Sequence, residues 1–258
     1  MKKILLAILS GSAIMASAAD FSIPDDSPLT AKLMDQAWSN RENVNNQKTI
    51  AAYLMKAPAI PQDYETAWKT ARMVSFIGNY GYGEKVFVST SDGVKLFDYG
   101  VQAGKIATAQ KPSGVEGLYW YAVDLGSYGL AKGVFAAAKG AGPGMDALKK
   151  VISIDPTYQG YGSSRILGRY YQELPGLMGG SDSKAEKYLT DATTKAPQVR
   201  NNWVFLGQYY ISTKDYQKAA DSCQKAIDVT GSEGQYEEKR YLREANECLT
   251  KAKAKLSS

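Results

Sequence analysis

The stretch from Trp203 to Ala226 constrains the fold of this chain more than any other. Large, small and aromatic side chains recur here at fixed spacing, in the order Trp203, Leu206, Gly207, Tyr210, Ala219, Cys223 and Ala226. Two antiparallel helices approach closely only where small side chains leave room, and Gly207 and Ala219 supply that room. The pattern therefore predicts a helical hairpin with a tightly packed seam.

A single hairpin of this kind cannot bury its apolar faces alone, so neighbouring copies are expected. The spacing is that of a tetratricopeptide repeat, and weaker copies occur upstream. We predict an all-α, tetratricopeptide-like solenoid of helical hairpins, with about four imperfect repeats at residues 63–112, 116–156, 160–197 and 199–231. An N-terminal hairpin at residues 27–57 and a C-terminal capping helix at 235–256 would complete one helical-repeat domain spanning 20–258.

The first nineteen residues have the pattern of a secretory signal peptide. Lys2 and Lys3 precede an apolar run that ends at Ile14, and small residues follow, with cleavage expected near Ala18-Ala19. A membrane anchor is the alternative, but the apolar run is shorter than the roughly 20 residues of a spanning helix. We therefore expect a periplasmic protein without a membrane span once the signal is removed.

Composition narrows the functional classes. The chain contains no histidine, which excludes Ser-His and Cys-His catalysis and histidine-ligated metals. Its carboxylates are scattered rather than paired, so we predict no enzyme activity, no cofactor and no metal site. The formal net charge is +5, or +5 − 2 = +3 without Lys2 and Lys3, and this mild balance does not indicate nucleic-acid binding.

The two cysteines are Cys223 and Cys248, on consecutive predicted helices. In an oxidising compartment they are candidates for a disulfide. Two buried free thiols are the alternative, because the separation of the Cα atoms decides between the two states.

Glycine and proline mark two places where a plain repeat is disturbed. In the repeat 116–156, Gly140, Gly142, Pro143 and Gly144 are expected to interrupt the second helix. In the repeat 160–197, an insert from Leu174 to Ser183 separates the two helices, where an ordinary repeat has a short turn. Its first half is apolar, and Ser181 or Ser183 can cap the helix that follows.

Tyrosine and tryptophan are abundant, and many of them lie on the first helices of the repeats, which line the concave face of such solenoids. A groove for an apolar ligand or a partner segment is therefore expected. Its candidate residues are Tyr119, Trp120, Tyr161, Arg165, Tyr170, Tyr171, Leu177 and Met178, with the loop residues Pro175, Gly176, Gly179 and Gly180. Alternatively, many of these side chains form the repeat core. Arg165 either neutralises a ligand carboxylate or bonds the carbonyls of the insert.

Three stretches resemble the T component associated with tripartite ATP-independent periplasmic (TRAP) transporters. They are Tyr64–Arg72, Gly117–Ala122 and, most specifically, Asp155–Ser181, with its Arg165-Ile166-Leu167-Gly168 and Leu174-Pro175-Gly176 segments and the pair Gly179-Gly180. The resemblance spans over half of the chain. Unlike the lipoprotein members, this chain has no lipobox cysteine beside the small residues that end its signal peptide, so the resemblance does not extend to a lipid anchor.

The resemblance implies concealed tetratricopeptide-like repeats, a homo-oligomer that is a trimer in the family's described form, and an apolar pore or cleft. It also implies partnership with the transporter's periplasmic solute-binding protein. We therefore predict a T-component-like binding protein for such a partner and for a hydrophobic or organic-acid ligand. The alternative is a general periplasmic repeat adaptor for protein–protein interaction that binds no small molecule.

Overall fold

The structure, a computed structural model, describes residues 21–24, 26–56, 59–80, 91–231 and 235–257. The predicted signal peptide lies outside these ranges. The described residues form eleven α-helices and no strand, which confirms the predicted all-α class. A short 3₁₀ turn at Gly176–Met178 is the other regular element.

The helices are α1 (Ala31–Ser39), α2 (Val44–Met55), α3 (Tyr64–Tyr80), α4 (Ser91–Gln110), α5 (Val115–Lys132), α6 (Val134–Ile154), α7 (Tyr158–Glu173), α8 (Asp182–Lys195), α9 (Arg200–Ser212), α10 (Tyr216–Asp228) and α11 (Gln235–Leu256). From α3 onward they pack as consecutive pairs, α3 with α4 through α9 with α10. The first helix of each pair also contacts the first helix of the next, and α9 contacts α11. The odd-numbered helices from α3 to α11 therefore stack side by side.

Proline sets the ends of three second helices. Helices α4, α6 and α8 each end two residues before Pro112, Pro156 or Pro197. Proline lacks the backbone N–H that would continue the helix, and it restricts the residue before it. The connection to the next repeat therefore begins at these positions.

The expected interruption of α6 is wrong. Helix α6 runs unbroken from Val134 to Ile154 with Pro143 inside it. The neighbouring glycines provide close packing instead of a turn, since a Cβ at Gly144 would stand 2.5 Å from the hydroxyl of Tyr170 and one at Gly140 would stand 3.3 Å from Leu125. Close approach to the neighbouring helices explains the small residues at these positions.

Helix α11 returns to the N-terminal part of the chain. The hydroxyls of Tyr80 and Tyr241 lie 2.6 Å apart, and Arg240 Nη1 donates to the carbonyl oxygen of Asn79 at 2.7 Å. These contacts join residues 161 positions apart, so the stacked helices close around a central space.

A disulfide joins Cys223 on α10 to Cys248 on α11, with their Cα atoms 6.0 Å apart. Gly207 on α9 lies directly against the sulfur of Cys223, and a larger side chain there would collide with it. The small residue that the repeat pattern places at position 207 therefore makes room for a covalent link between the last two helices.

Asp124 on α5 is fully buried against α3 and α4. The hydroxyl of Ser75 donates to its Oδ1 at 2.5 Å, while Gly100 lies directly against its Oδ2. Desolvation raises the pKa of Asp124 well above its ordinary value and outweighs the Ser75 hydrogen bond, which lowers it. Burial therefore favours the protonated, neutral form of Asp124.

This carboxyl gives stability a defined pH dependence. Its folded-state pKa exceeds the unfolded value of about 4, so its contribution is complete below about pH 4 and is lost as the pH rises through the folded-state pKa. Asp124→Asn stays neutral at every pH. We expect the unfolding free energy of the wild type to fall relative to that of Asp124→Asn as the pH rises above about 4, by about 1.4 kcal/mol for each pH unit that separates the two pKa values.

Urea denaturation across this pH range measures the effect, with Asp146→Asn, at an exposed position on α6, as the control. Parallel pH profiles of the wild type and Asp124→Asn would contradict a neutral Asp124.

Candidate binding cleft

The stacked first helices and α11 surround a cleft of about 370 Å³. Its walls come from the end of α1, from α3, α5, α7 and α9, and from the first turns of α11. This volume lies within the range of small-molecule pockets. Helices thus surround this part of the concave face, and the space between them is large enough for a small molecule.

One wall is aromatic. Trp38 and Phe76 meet edge to face at 5.7 Å between ring centroids, Phe76 and Tyr80 lie at 5.7 Å, and Tyr80 and Tyr241 lie at 6.0 Å. The four rings belong to three helices that are distant in sequence. They give the cleft a large apolar surface, with the tyrosine hydroxyls at one end.

Two arginines hold the first of these rings. The guanidinium carbons of Arg41 and Arg72 each lie 4.1 Å from the centroid of the Trp38 ring. Burial lowers the pKa of Arg72 to about 10, against the opposing effect of Asp35. Arg41 also faces Glu237 across the cleft, with Nε 3.9 Å from Oε1. These contacts connect α1 to α3 and to α11.

The opposite wall holds Arg165, which is only 5% exposed. Its Nη1 donates to Oδ1 of Asn202 at 2.6 Å, and its Nη2 donates to the Tyr119 hydroxyl at 3.4 Å. These two acceptors are neutral side chains on α9 and α5, and neither is a carbonyl of the insert. The guanidinium is therefore fixed at the wall of the cleft by its neighbours.

A left-handed backbone segment precedes Arg165. Gln159, Gly160 and Tyr161 have φ values of 54°, 59° and 61°, so the regular part of α7 begins only after them. This conformation costs a non-glycine residue roughly 1–2 kcal/mol. Asn202 offsets part of that cost by donating to the carbonyl of Gly160 at 3.1 Å. Gln159 and Gly160 both line the cleft.

Asn202 on α9 forms hydrogen bonds with α7 and α8, and we call this set of contacts the Asn202 joint. Its Nδ2 lies within hydrogen-bond distance of three carbonyl oxygens, those of Gly160 (3.1 Å), Ala192 (3.0 Å) and Ala196 (3.2 Å), while its Oδ1 accepts from Arg165. The residue is fully buried. One side chain therefore connects α7, α8 and α9.

Asn201, the preceding residue, differs from Asn202 in its hydrogen bonding. It lines the cleft and is 3% exposed, yet its Oδ1 has no hydrogen-bond partner in the part of the chain that the structure describes. The sequence prediction missed both asparagines. A pair of amides in the first turns of a repeat helix, where core residues are expected, was the available signal.

The structure brings three of the predicted site residues together, since Tyr119, Trp120 and Arg165 all line the cleft. It places the other tyrosines elsewhere. Tyr170 is buried and donates to the carbonyl of Ala122 at 2.8 Å, and Tyr171 stacks on Tyr188 at 5.8 Å. These two belong to the repeat core, which was the alternative interpretation of the aromatic residues.

The third of these tyrosines, Tyr161, is partly buried in the left-handed segment and does not line the cleft. The cleft takes its lining from the two residues before it, Gln159 and Gly160.

The insert also lies outside the cleft. Leu177 is fully exposed and Met178 is exposed at the surface. Pro175 and Gly176 begin the 3₁₀ turn, and Gly179 follows it with a φ of 98°. The carbonyl of Pro175 accepts from the amide of Gly180, and Ser181 caps α8 by accepting from Lys184 N. The insert is thus an ordered surface loop.

A second depression of about 430 Å³ lies over Trp203 and Lys225. It is open to solvent and contains none of the predicted site residues, so the central cleft is the candidate site. Within the described ranges, no group of acidic or cysteine side chains is arranged to hold a metal ion.

The Asn202 joint yields a testable prediction. Asn202→Ala removes the acceptor of Arg165 Nη1 and a donor shared by three carbonyls, of which those of Ala192 and Ala196 keep a backbone donor. An unsatisfied buried group costs about 1–3 kcal/mol, and more when the group is charged. We expect a loss of at least about 2 kcal/mol in unfolding free energy, measured by urea denaturation. Asn246→Ala, an exposed position on α11, is the control. A loss within about 0.5 kcal/mol, as for an ordinary surface substitution, would remove Asn202 from this role.

Comparisons with known proteins agree with this architecture. A family model described as "TRAP transporter T-component" matches residues 80–235. A comparison with curated proteins finds no match. None of the helices in the described part of the chain combines the length and apolar character of a membrane span.

Among solved structures, the chain is similar to TTC0263, a thermophilic tetratricopeptide-repeat protein of Thermus thermophilus. The TM-score is 0.56 at 17% identity, over 85% of this chain and 97% of that one. The MamA protein aligns at 22% identity with a TM-score of 0.41, over 63% and 90% of the two chains. The first likeness shows a shared helical-repeat fold.

Proposed function

Because the chain belongs to the TRAP transporter T-component family, we propose that it serves such a transporter as a periplasmic binding protein. In this proposal the cleft holds a small hydrophobic or organic-acid ligand, and the protein associates with the transporter's solute-binding subunit. Binding requires no chemistry at the site, so no catalytic role is assigned to any residue.

The observation that carries the proposal is the composition of the cleft. An aromatic wall formed by Trp38, Phe76, Tyr80 and Tyr241 faces a wall that contains Arg165. Apolar surface with a few fixed polar groups is typical of small-molecule sites. A guanidinium held by Asn202 and Tyr119 favours a carboxylate or another planar anion. An apolar molecule with one acidic group fits both walls.

The insert between α7 and α8 supports the second half of the proposal. Leu177 is fully exposed on an ordered loop, and it lies outside the cleft. Met178, the next residue, is also exposed, so the loop presents two consecutive apolar side chains, and contiguous exposed apolar surface is suited to contact another protein. A pure adaptor without a ligand is the alternative function, and this loop is the observation that favours it.

The ligand proposal is tested with 8-anilinonaphthalene-1-sulfonate, an apolar fluorescent anion. We expect saturable binding to the wild type and a Kd at least about 10-fold weaker for Arg165→Gln, because a hydrogen bond to a charged group contributes about 1.5–3 kcal/mol. Arg169→Gln is the matched control, one turn later on α7 and outside the cleft.

Circular dichroism verifies that each variant folds. No saturable binding to the wild type, or equal Kd values for the two arginine variants, would contradict the proposal.

The partner proposal is tested by co-purification from periplasmic extract, with quantitative mass spectrometry of the solute-binding subunit. We expect Leu177→Asp to lower its recovery about 10-fold or more, because a charge at the centre of an apolar contact is strongly unfavourable. Leu130→Asp, at another exposed apolar position, should leave recovery unchanged. Failure of the wild type to retain the subunit would refute the partnership.

A further inference from the structure

Asn201 is a buried polar side chain whose amide oxygen the described residues leave unsatisfied. It lies in the wall of the cleft with 3% of its surface exposed, and its Oδ1 lacks a hydrogen-bond partner among the described residues. Most buried polar side-chain atoms in folded proteins have a partner, so each exception requires an explanation. This oxygen therefore lacks a partner among the described residues, in a side chain whose residue lines the cleft.

The neighbouring asparagine shows that an unsatisfied amide oxygen is not a general feature of this helix. Asn202 has the same side chain one position later, and both its amide oxygen and its amide nitrogen are engaged by the protein. Asn202 faces the joint between α7, α8 and α9, whereas Asn201 faces the cleft. Hydrogen bonds within the fold therefore account for Asn202, whereas the amide oxygen of Asn201 has no such bond among the described residues.

Asn201 lines the same cleft as Arg165, the proposed acid-binding group. Asn202 accepts from Nη1 of Arg165 at 2.6 Å. In the proposed complex, a ligand whose acidic group meets Arg165 occupies the cleft that Asn201 also lines. A hydrogen-bond donor on that ligand can then satisfy the Oδ1 atom of Asn201.

We propose that Asn201 selects the ligand of the cleft, by accepting a hydrogen bond from a hydroxyl or amino group beside the acidic group that Arg165 binds. This inference rests on the proposed ligand-binding function and narrows its ligand class. The preferred ligand is a small organic acid with a donor on the carbon next to the carboxylate and an apolar remainder among the aromatic rings. A plain hydrophobic acid leaves Asn201 unsatisfied and binds more weakly.

The test uses two probes that differ in one hydroxyl group, 3-phenyllactate and 3-phenylpropionate, with Kd values measured by titration calorimetry. For the wild type we expect phenyllactate to bind at least about 5-fold more tightly, which corresponds to one satisfied hydrogen bond. Asn201→Leu, similar in volume but without polar atoms, should reduce this preference to less than about 2-fold. Binding of phenylpropionate should be unchanged or tighter.

The outcomes separate the two proposals. Binding of both acids with equal Kd by the wild type overturns the role of Asn201 and leaves the ligand-binding function intact. Binding of neither acid by the wild type overturns the ligand-binding function, and this inference with it. A preference for phenyllactate that persists in Asn201→Leu assigns the selection to another residue and also overturns the inference.

Thermal unfolding provides a readout that does not depend on ligand. If Asn201 is retained for binding, Asn201→Leu removes an unsatisfied buried group and its Tm should be equal to or higher than that of the wild type. The matched variant Asn202→Leu should lose several degrees, because Asn202 is fully bonded within the fold. A comparable loss for Asn201→Leu would show a structural role and overturn the proposal.

Discussion

The structure depends on the inability of one helical hairpin to bury both of its faces. Each pair from α3 to α10 therefore packs on the next, and the approach is close only where small side chains such as Gly104 and Gly207 stand at the seams. Glycine at these positions allows two helices to pack closely, whereas the sequence alone predicts that the glycines of α6 interrupt the helix. The same requirement explains why α6 remains helical through Gly140 and Gly144.

Stacking has a second effect, because it collects the first helices on one concave face. Residues contributed once per repeat become neighbours there, and α11 returns to α3 through Tyr80 and Tyr241. The aromatic wall and Arg165 thereby surround one space, although they come from separate parts of the sequence. A solenoid with fewer units would present the same side chains on an open surface.

The repeat pattern was sufficient to predict the fold class, because large and small residues at helical spacing report directly on a packed seam. It also included Tyr119, Trp120 and Arg165 among its candidates, and these three lie on first helices and line the cleft. It grouped Leu177 and Tyr170 with them, whereas the structure places both outside the cleft, because helical periodicity does not specify which way a surface insert or a core tyrosine faces. Asn201 was missed because its significance is the lack of a partner, which only the surroundings of a side chain reveal.

The contact between Tyr80 and Tyr241 joins residues 161 positions apart. Repeat units with local contacts can form one after another as the chain emerges during synthesis or export. The central cleft is complete only when α11 has docked, because Glu237 and Tyr241 form part of its lining. A chain shortened before residue 235 would lose Glu237 and Tyr241 from the lining of the cleft, and Cys248 from the disulfide, so the helix that covers the last hairpin also encloses the space beside Arg165.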